Sequence, residues 1–106
     1  MLKITVLKKN SDLIGVSSEG HAEYDDPGKD IVCAAVSVLM LNTVNSIEAF
    51  TEDAFDGEQA DGYLSFHIDG EVSDGSRLLL KSLVLGLESI EETYGSTYIE
   101  IVTKEV

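Results

Sequence analysis

The chain has 106 residues, 43% hydrophobic and 25% charged, a length and composition that suit one folded domain with one core and argue against disorder. Twenty acidic residues against seven basic ones leave a formal net charge of -13. That field repels phosphate backbones and anionic headgroups, so neither nucleic acid nor a membrane is expected as a direct partner, whereas a basic polypeptide is drawn in.

In chain order, Leu2 to Lys8 alternates, with Ile4, Val6 and Lys8 on one face and Lys3, Thr5 and Leu7 on the other, and reads as a strand. The apolar run between its lysines is too short for a signal-peptide core. The polar cluster Lys9-Asn10-Ser11-Asp12 is a turn signal, and Leu13 to Glu19 resembles a second strand, so the first two elements are expected to form a hairpin. Gly20 lets the backbone bend out of the sheet, which leaves His21 at a strand end. Ala22 to Lys29 is a loop of about eight residues, long enough to move as a flap.

Asp30 follows the turn signal Pro27-Gly28 and precedes Ile31-Val32-Cys33, the pattern of a helix N-cap. The helix runs to about Phe50, with Val32, Val36, Leu39, Met40, Ile47 and Phe50 at helical spacing. Its first half has almost no polar side, which predicts a second cover besides its own sheet. Thr51 to Asp61 is acidic and turn-rich, with a short extended piece near Phe55. Tyr63 to Asp69 is a half-buried strand that places Leu64, Phe66 and Ile68 opposite Ser65, His67 and Asp69. Ser73 or Asp74 caps a second helix reaching about Tyr94, with a stripe of Leu79, Leu80, Leu83, Leu87, Ile90 and Tyr94. Gly95 follows where a helix end favours positive φ, and Thr97 to Thr103 closes as a strand.

This order, strand, strand, helix, one or two strands, helix, strand, predicts a single α+β domain over residues 1–106. It has two layers: one mixed or antiparallel sheet with two long helices on one face. No stretch approaches the roughly 18 consecutive apolar residues of a membrane span. A single cysteine excludes an internal disulfide and fits a reducing compartment, so the expected location is the cytoplasm.

Chemistry concentrates between Gly20 and Ser37. The chain's only cysteine, Cys33, lies twelve positions after His21, one of two histidines. With Asp30 as cap, Cys33 falls in the first helical turn, where unpaired N–H groups and the helix dipole favour a thiolate, while the carboxylate of Asp30 opposes it. A sulfur nucleophile and an imidazole base across a mobile loop form a candidate catalytic pair. The plainer readings are a core cysteine, a strand-end histidine with one backbone bond, and a cap with no second task of orienting His21. Ser37 lies one turn beyond Cys33, and its default is a bond back to the Cys33 carbonyl. His67 reads as solvated. No metal site and no cofactor is expected, because the nitrogen and sulfur ligands are few and scattered and the acids lack calcium-loop spacing.

The residues G-H-A, then Gly28 and Asp-Ile-Val-Cys-Ala-Ala with Ser37, the later V-N-S-I and a helix ending I-E-E-T-Y resemble the ribosomal-processing cysteine protease family, Prp. The resemblance implies an endopeptidase that removes a short N-terminal extension from a large-subunit ribosomal protein, cutting after an aromatic residue. It implies His21 as general base, Cys33 as nucleophile, and Gly20, Asp30 and Ser37 as supporting positions. The loop of Glu23, Tyr24, Asp25, Asp26, Pro27 and Gly28 would meet the substrate, a basic ribosomal protein, and the family's homodimers would explain the over-apolar helix. In the loop, Asp25 and Pro27 depart from the small, flexible residues expected there. Two other classes stand beside the protease: a noncatalytic module for a basic partner, and a thiol redox sensor.

Overall fold

Alternation builds the first layer. In β1 (Leu2–Lys9), Leu2, Ile4 and Val6 are buried while Lys3 is exposed. Asn10 and Ser11 both take positive φ, 51° and 70°, the mirror-image turn whose twist matches the paired strands, and the chain returns as β2 (Asp12–Gly20). The structure is a computed structural model that describes residues 1–26 and 29–106. The further elements are α1 (Ile31–Phe50), β3 (Ala54–Ala60), β4 (Tyr63–Asp69), α2 (Asp74–Tyr94) and β5 (Ile99–Glu105).

The strands form one sheet in the order β3-β4-β2-β1-β5. Only β1 and β5 run parallel, from Leu2 beside Ile99 to Lys8 beside Glu105, so the sheet is mixed. Leu2, Ile4, Val16, Phe66, Ile68 and Ile99 on one sheet face join Val32, Val36, Met40 and Ile47 of α1 and Leu80, Leu83, Leu87 and Ile90 of α2 in a single core. Both helices therefore cover the same face. They approach closely at Gly86, where a Cβ would stand 2.9 Å from the Leu39 Cδ1 atom.

Caps end the helices as their residues dictate. The Ser73 hydroxyl accepts the Ser76 N–H at 3.2 Å and itself donates to Asp53 Oδ2 at 2.7 Å. Gly95, at φ 100°, ends α2. α1 is long and apolar enough to cross a membrane by length and composition, although no uninterrupted apolar run of that length exists. Here its Val32, Val36, Met40, Thr43 and Ile47 stripe is buried.

Three details differ from expectation. β3 is a full strand of seven residues rather than a short extended piece. It is an edge strand with only Phe55 partly covered, so it has no buried face to impose alternation. On α2 Ser76 joins Leu80, Leu83, Leu87 and Ile90 in the buried stripe, its hydroxyl 3.4 Å from Thr51 Oγ1, while Leu79 and Tyr94 are only partly covered. The last strand starts at Ile99 because Tyr98 N–H bonds the Gly95 carbonyl at 3.2 Å, closing a turn.

Candidate active site

β2 ends on a residue that must be glycine. Gly20 has φ 94°, and a Cβ there would lie 2.7 Å from the Met1 carbonyl oxygen. Its N–H donates to the Gly62 carbonyl at 2.8 Å, fixing the strand end to the β3–β4 turn. The chain then leaves the sheet and exposes His21. Gly62, at φ 69°, faces the ring, since a Cβ there would sit 3.0 Å from His21 Nε2. The turn thus leaves open the space the imidazole needs. Ala22 folds back inward, 2% exposed, and its N–H donates to Cys33 Sγ at 3.3 Å.

From the other side, Asp30 starts α1. Its Oδ1 accepts the N–H groups of Val32 and Cys33, both at 3.0 Å, and its Oδ2 accepts Tyr24 N–H at 3.0 Å. Burial alone would raise the Asp30 carboxyl, but the N–H donors of Cys33 and Tyr24 outweigh it and hold the group below its ordinary value. Asp30 thus caps the helix and ties down the loop, and makes no hydrogen bond to His21. The Tyr24 ring packs edge-on against Tyr94 and Tyr98, at centroid distances of 5.4 and 5.1 Å. Glu23 takes φ 59°, Asp26 N–H bonds Asp25 Oδ1 at 2.7 Å, and Lys29 N–H bonds the Asp26 carbonyl at 2.9 Å. Pro27 and Gly28 lie outside the described residues.

Cys33 is half-buried, the third residue of α1. Burial pushes its thiol up; the Ala22 N–H pulls the other way, and the negative charge of Asp30 pushes it further up. Burial and Asp30 thus outweigh the influences that favour a thiolate at this position. The first-turn N–H groups are also engaged, Val32 and Cys33 by Asp30 Oδ1 and Ala34 by the Asp30 carbonyl at 3.1 Å. Ser37 is exposed, and its hydroxyl makes no bond to the Cys33 carbonyl, unlike the back-bonding hydroxyls of Thr43 and Thr51.

His21, Cys33 and Ser37 line two adjoining cavities. The larger, about 600 Å³, also has Glu23, Asp25 and Asp30 in its wall. The smaller, about 160 Å³, opens toward β3 and β4. Another hollow of about 540 Å³ lies by Arg77, whose guanidinium is engaged by Asp12 at 3.0 Å and by Asp74. The ring of His67 is 3.3 Å from Asp69 rather than simply solvated. With Asp56 it forms a group whose ligand atoms lie within 4.8 Å of one another. The Asp69 carboxyl beside Asp56 raises the latter above its ordinary value, and register across β3 and β4 brings the three together.

A family model for the cysteine protease Prp matches residues 1–100. The chain belongs to the Prp cysteine protease family. It is 35% identical to a ribosomal processing cysteine protease Prp of Staphylococcus aureus (strain Mu50 / ATCC 700699) over 81 residues, 74% of this chain and 76% of that one. The Bacillus subtilis (strain 168) Prp is 27% identical over 101 residues, 89% and 90% of the two chains. Among solved structures, S. aureus Prp with a covalently linked product peptide superposes with a TM-score of 0.91 at 27% identity, covering 98% of this chain and 100% of that one. The same protease with a substrate peptide gives 0.86 at 26% identity, with the same coverage.

Of the three classes left open by the sequence, Prp membership selects the cysteine protease. Two residues that shape this cleft escaped the sequence reading. Gly62 was visible as part of the Asp61-Gly62 hairpin dipeptide, but its proximity to His21 depends on strand order. Ala22 contributes a backbone N–H, which its side chain does not advertise.

Proposed function

We propose that this protein is a ribosomal-processing endopeptidase that removes a short N-terminal extension from a basic large-subunit ribosomal protein, cutting after an aromatic residue. Cys33 is the nucleophile and His21 the general base. The observation that carries this reading is the 3.3 Å bond from Ala22 N–H to Cys33 Sγ. It joins the residue after the imidazole to the sulfur, at a cavity that both side chains line.

The chemistry follows from these positions. Substrate occupies the cavity and excludes water, and the exposed His21 ring takes the thiol proton as Sγ attacks the scissile carbonyl carbon. The Ala22 N–H, already directed at the sulfur, is placed to donate to the oxygen that gains charge. The intermediate collapses to a thioester as His21 returns the proton to the leaving amine. Water, deprotonated by His21, then hydrolyses the thioester and frees the thiol. Asp30 and Gly20 act by holding the two backbones, and Ser37 borders the cleft. Glu23 and Asp25 add to the acidic field that attracts a lysine- and arginine-rich chain.

A second copy of this chain is the cover proposed for the outer helical face, with a cytoplasmic location and no direct contact with nucleic acid or membrane. Mass spectrometry of a synthetic extension peptide tests the central reading. Cys33→Ala should reduce cleavage to background with an unchanged circular-dichroism spectrum, and undiminished turnover would reject it.

A further inference from the structure

β3 and β4 carry a second group of ligating side chains, on the sheet face turned away from the helices. Asp56 and His67 are direct partners across the two strands, and Asp69 follows two positions after His67, so all three project from one face. Phe66 and Ile68, which flank His67, point the other way into the core. One donor atom from each of Asp56, His67 and Asp69 lies within 4.8 Å of the others. A hollow of about 450 Å³ opens beside them, with Glu58 and Ser65 also in its wall.

Acidic residues meet often in a chain that has twenty of them, and carboxylates alone would carry no site. What sets this group apart is an imidazole held among them at coordination spacing. His67 Nε2 stands 3.3 Å from Asp69 Oδ1, and two ligands at roughly 2.0–2.1 Å from a tetrahedral ion stand about 3.3 Å apart. Among the described residues no lysine or arginine forms an ion pair with Asp56 or Asp69. The two carboxylates therefore repel one another with only the imidazole at hand. On its other flank His67 pairs with Gly15, which offers no side chain to compete for the ring.

We propose that Asp56, His67 and Asp69 bind a divalent first-row transition ion, for which zinc is the probe, with water completing a four-coordinate shell. One nitrogen and two carboxylate oxygens suit such an ion better than magnesium or calcium, which take oxygen ligands throughout. Bound there, the ion fastens the edge strand β3, where only Phe55 and Asp56's neighbours across the ladder give any cover, to β4. The sequence conceals the set, because only strand register joins Asp56 to the other two. The site is independent of the catalytic reading of His21 and Cys33.

The test is calorimetric titration of zinc chloride into the untagged full-length Cys33→Ala protein, in which no thiol competes for the metal. One equivalent should bind at micromolar concentration, and thermal unfolding should move up by several degrees at saturation. Amide exchange along β3 should slow when zinc is bound. His67→Ala and Asp56→Asn, each folded by circular dichroism, should weaken binding by about tenfold or more, at least what the loss of an outer partner costs a metal site. His21→Ala should leave it unchanged, and excess magnesium should not displace the zinc. No binding at millimolar zinc would leave His67 and Asp69 as an ion pair only and overturn the site. Zinc held as tightly by the Asp56→Asn, His67→Ala double variant would put the ion elsewhere, and displacement by magnesium would overturn the choice of ion.

Discussion

Cys33 begins a helix, and yet burial and the charge of Asp30 push its thiol up rather than down. The first-turn donors that would favour a thiolate are directed at Asp30, whose charge sits beside the sulfur. In the mechanism proposed above, activation comes with substrate, when His21 accepts the proton in the act of attack. Asp30→Asn separates the two roles of the cap, because asparagine caps about as well as aspartate but carries no charge. The variant should retain its helix while the pH midpoint of Cys33 alkylation, followed by mass spectrometry, moves down; an unmoved midpoint would leave burial as the only cause. The sign for stability also follows. A thiol raised in the fold above its ordinary value of 9.0 favours the folded chain below that pH, and the advantage is lost as pH climbs through the folded value. The wild-type protein should accordingly lose stability in that alkaline window, and Cys33→Ala should lose less.

At the scale of elements, the site depends on a sheet whose strands cannot move apart. Gly15 pairs with His67, and a Cβ at Gly15 would stand 2.2 Å from the Phe66 carbonyl oxygen. Gly15→Ala must push β2 from β4, at a cost of about 1–3 kcal/mol as for other overpacked positions, and thermal unfolding should show the loss. Because β2 carries Gly20 and β4 begins beside Gly62, cleavage should fall with it. How much of this was legible differs by element. α1 was readable to its ends because Asp30 announces the cap and the Val32–Ile47 stripe repeats at helical spacing. β3 was not, since an edge strand with no buried face leaves no period in its residues. Tyr24 was placed in a mobile flap, but its ring rests on Tyr94 and Tyr98, partners distant in sequence that only the parallel return of β5 brings near.

For the molecule as a whole, the unresolved tension is between charge and apolar surface. α1 carries no charged residue until Glu48, and its solvent side presents Ile31 and Val38, 49% and 65% exposed, while α2 presents Leu78 and Leu85 at 69% and 67%. The sequence reading already required a cover for this helix, because its first half lacks a polar side. The identity of that cover depends on three-dimensional shape, which periodicity does not carry. A second copy would bury these residues, yet each copy carries a formal charge of -13, and like charges oppose the pairing. Salt shortens the reach of that repulsion, to about 8 Å at physiological ionic strength and roughly 3 Å at 1 M, but leaves apolar burial in place. The dimer proposed for this face should therefore tighten as salt is raised, the reverse of an assembly held by ion pairs. Sedimentation velocity over a salt series measures this directly. Val38→Glu combined with Leu85→Glu should give a monomer at every salt concentration with its circular-dichroism spectrum intact. A dimer that persists in that variant would place the contact on another face.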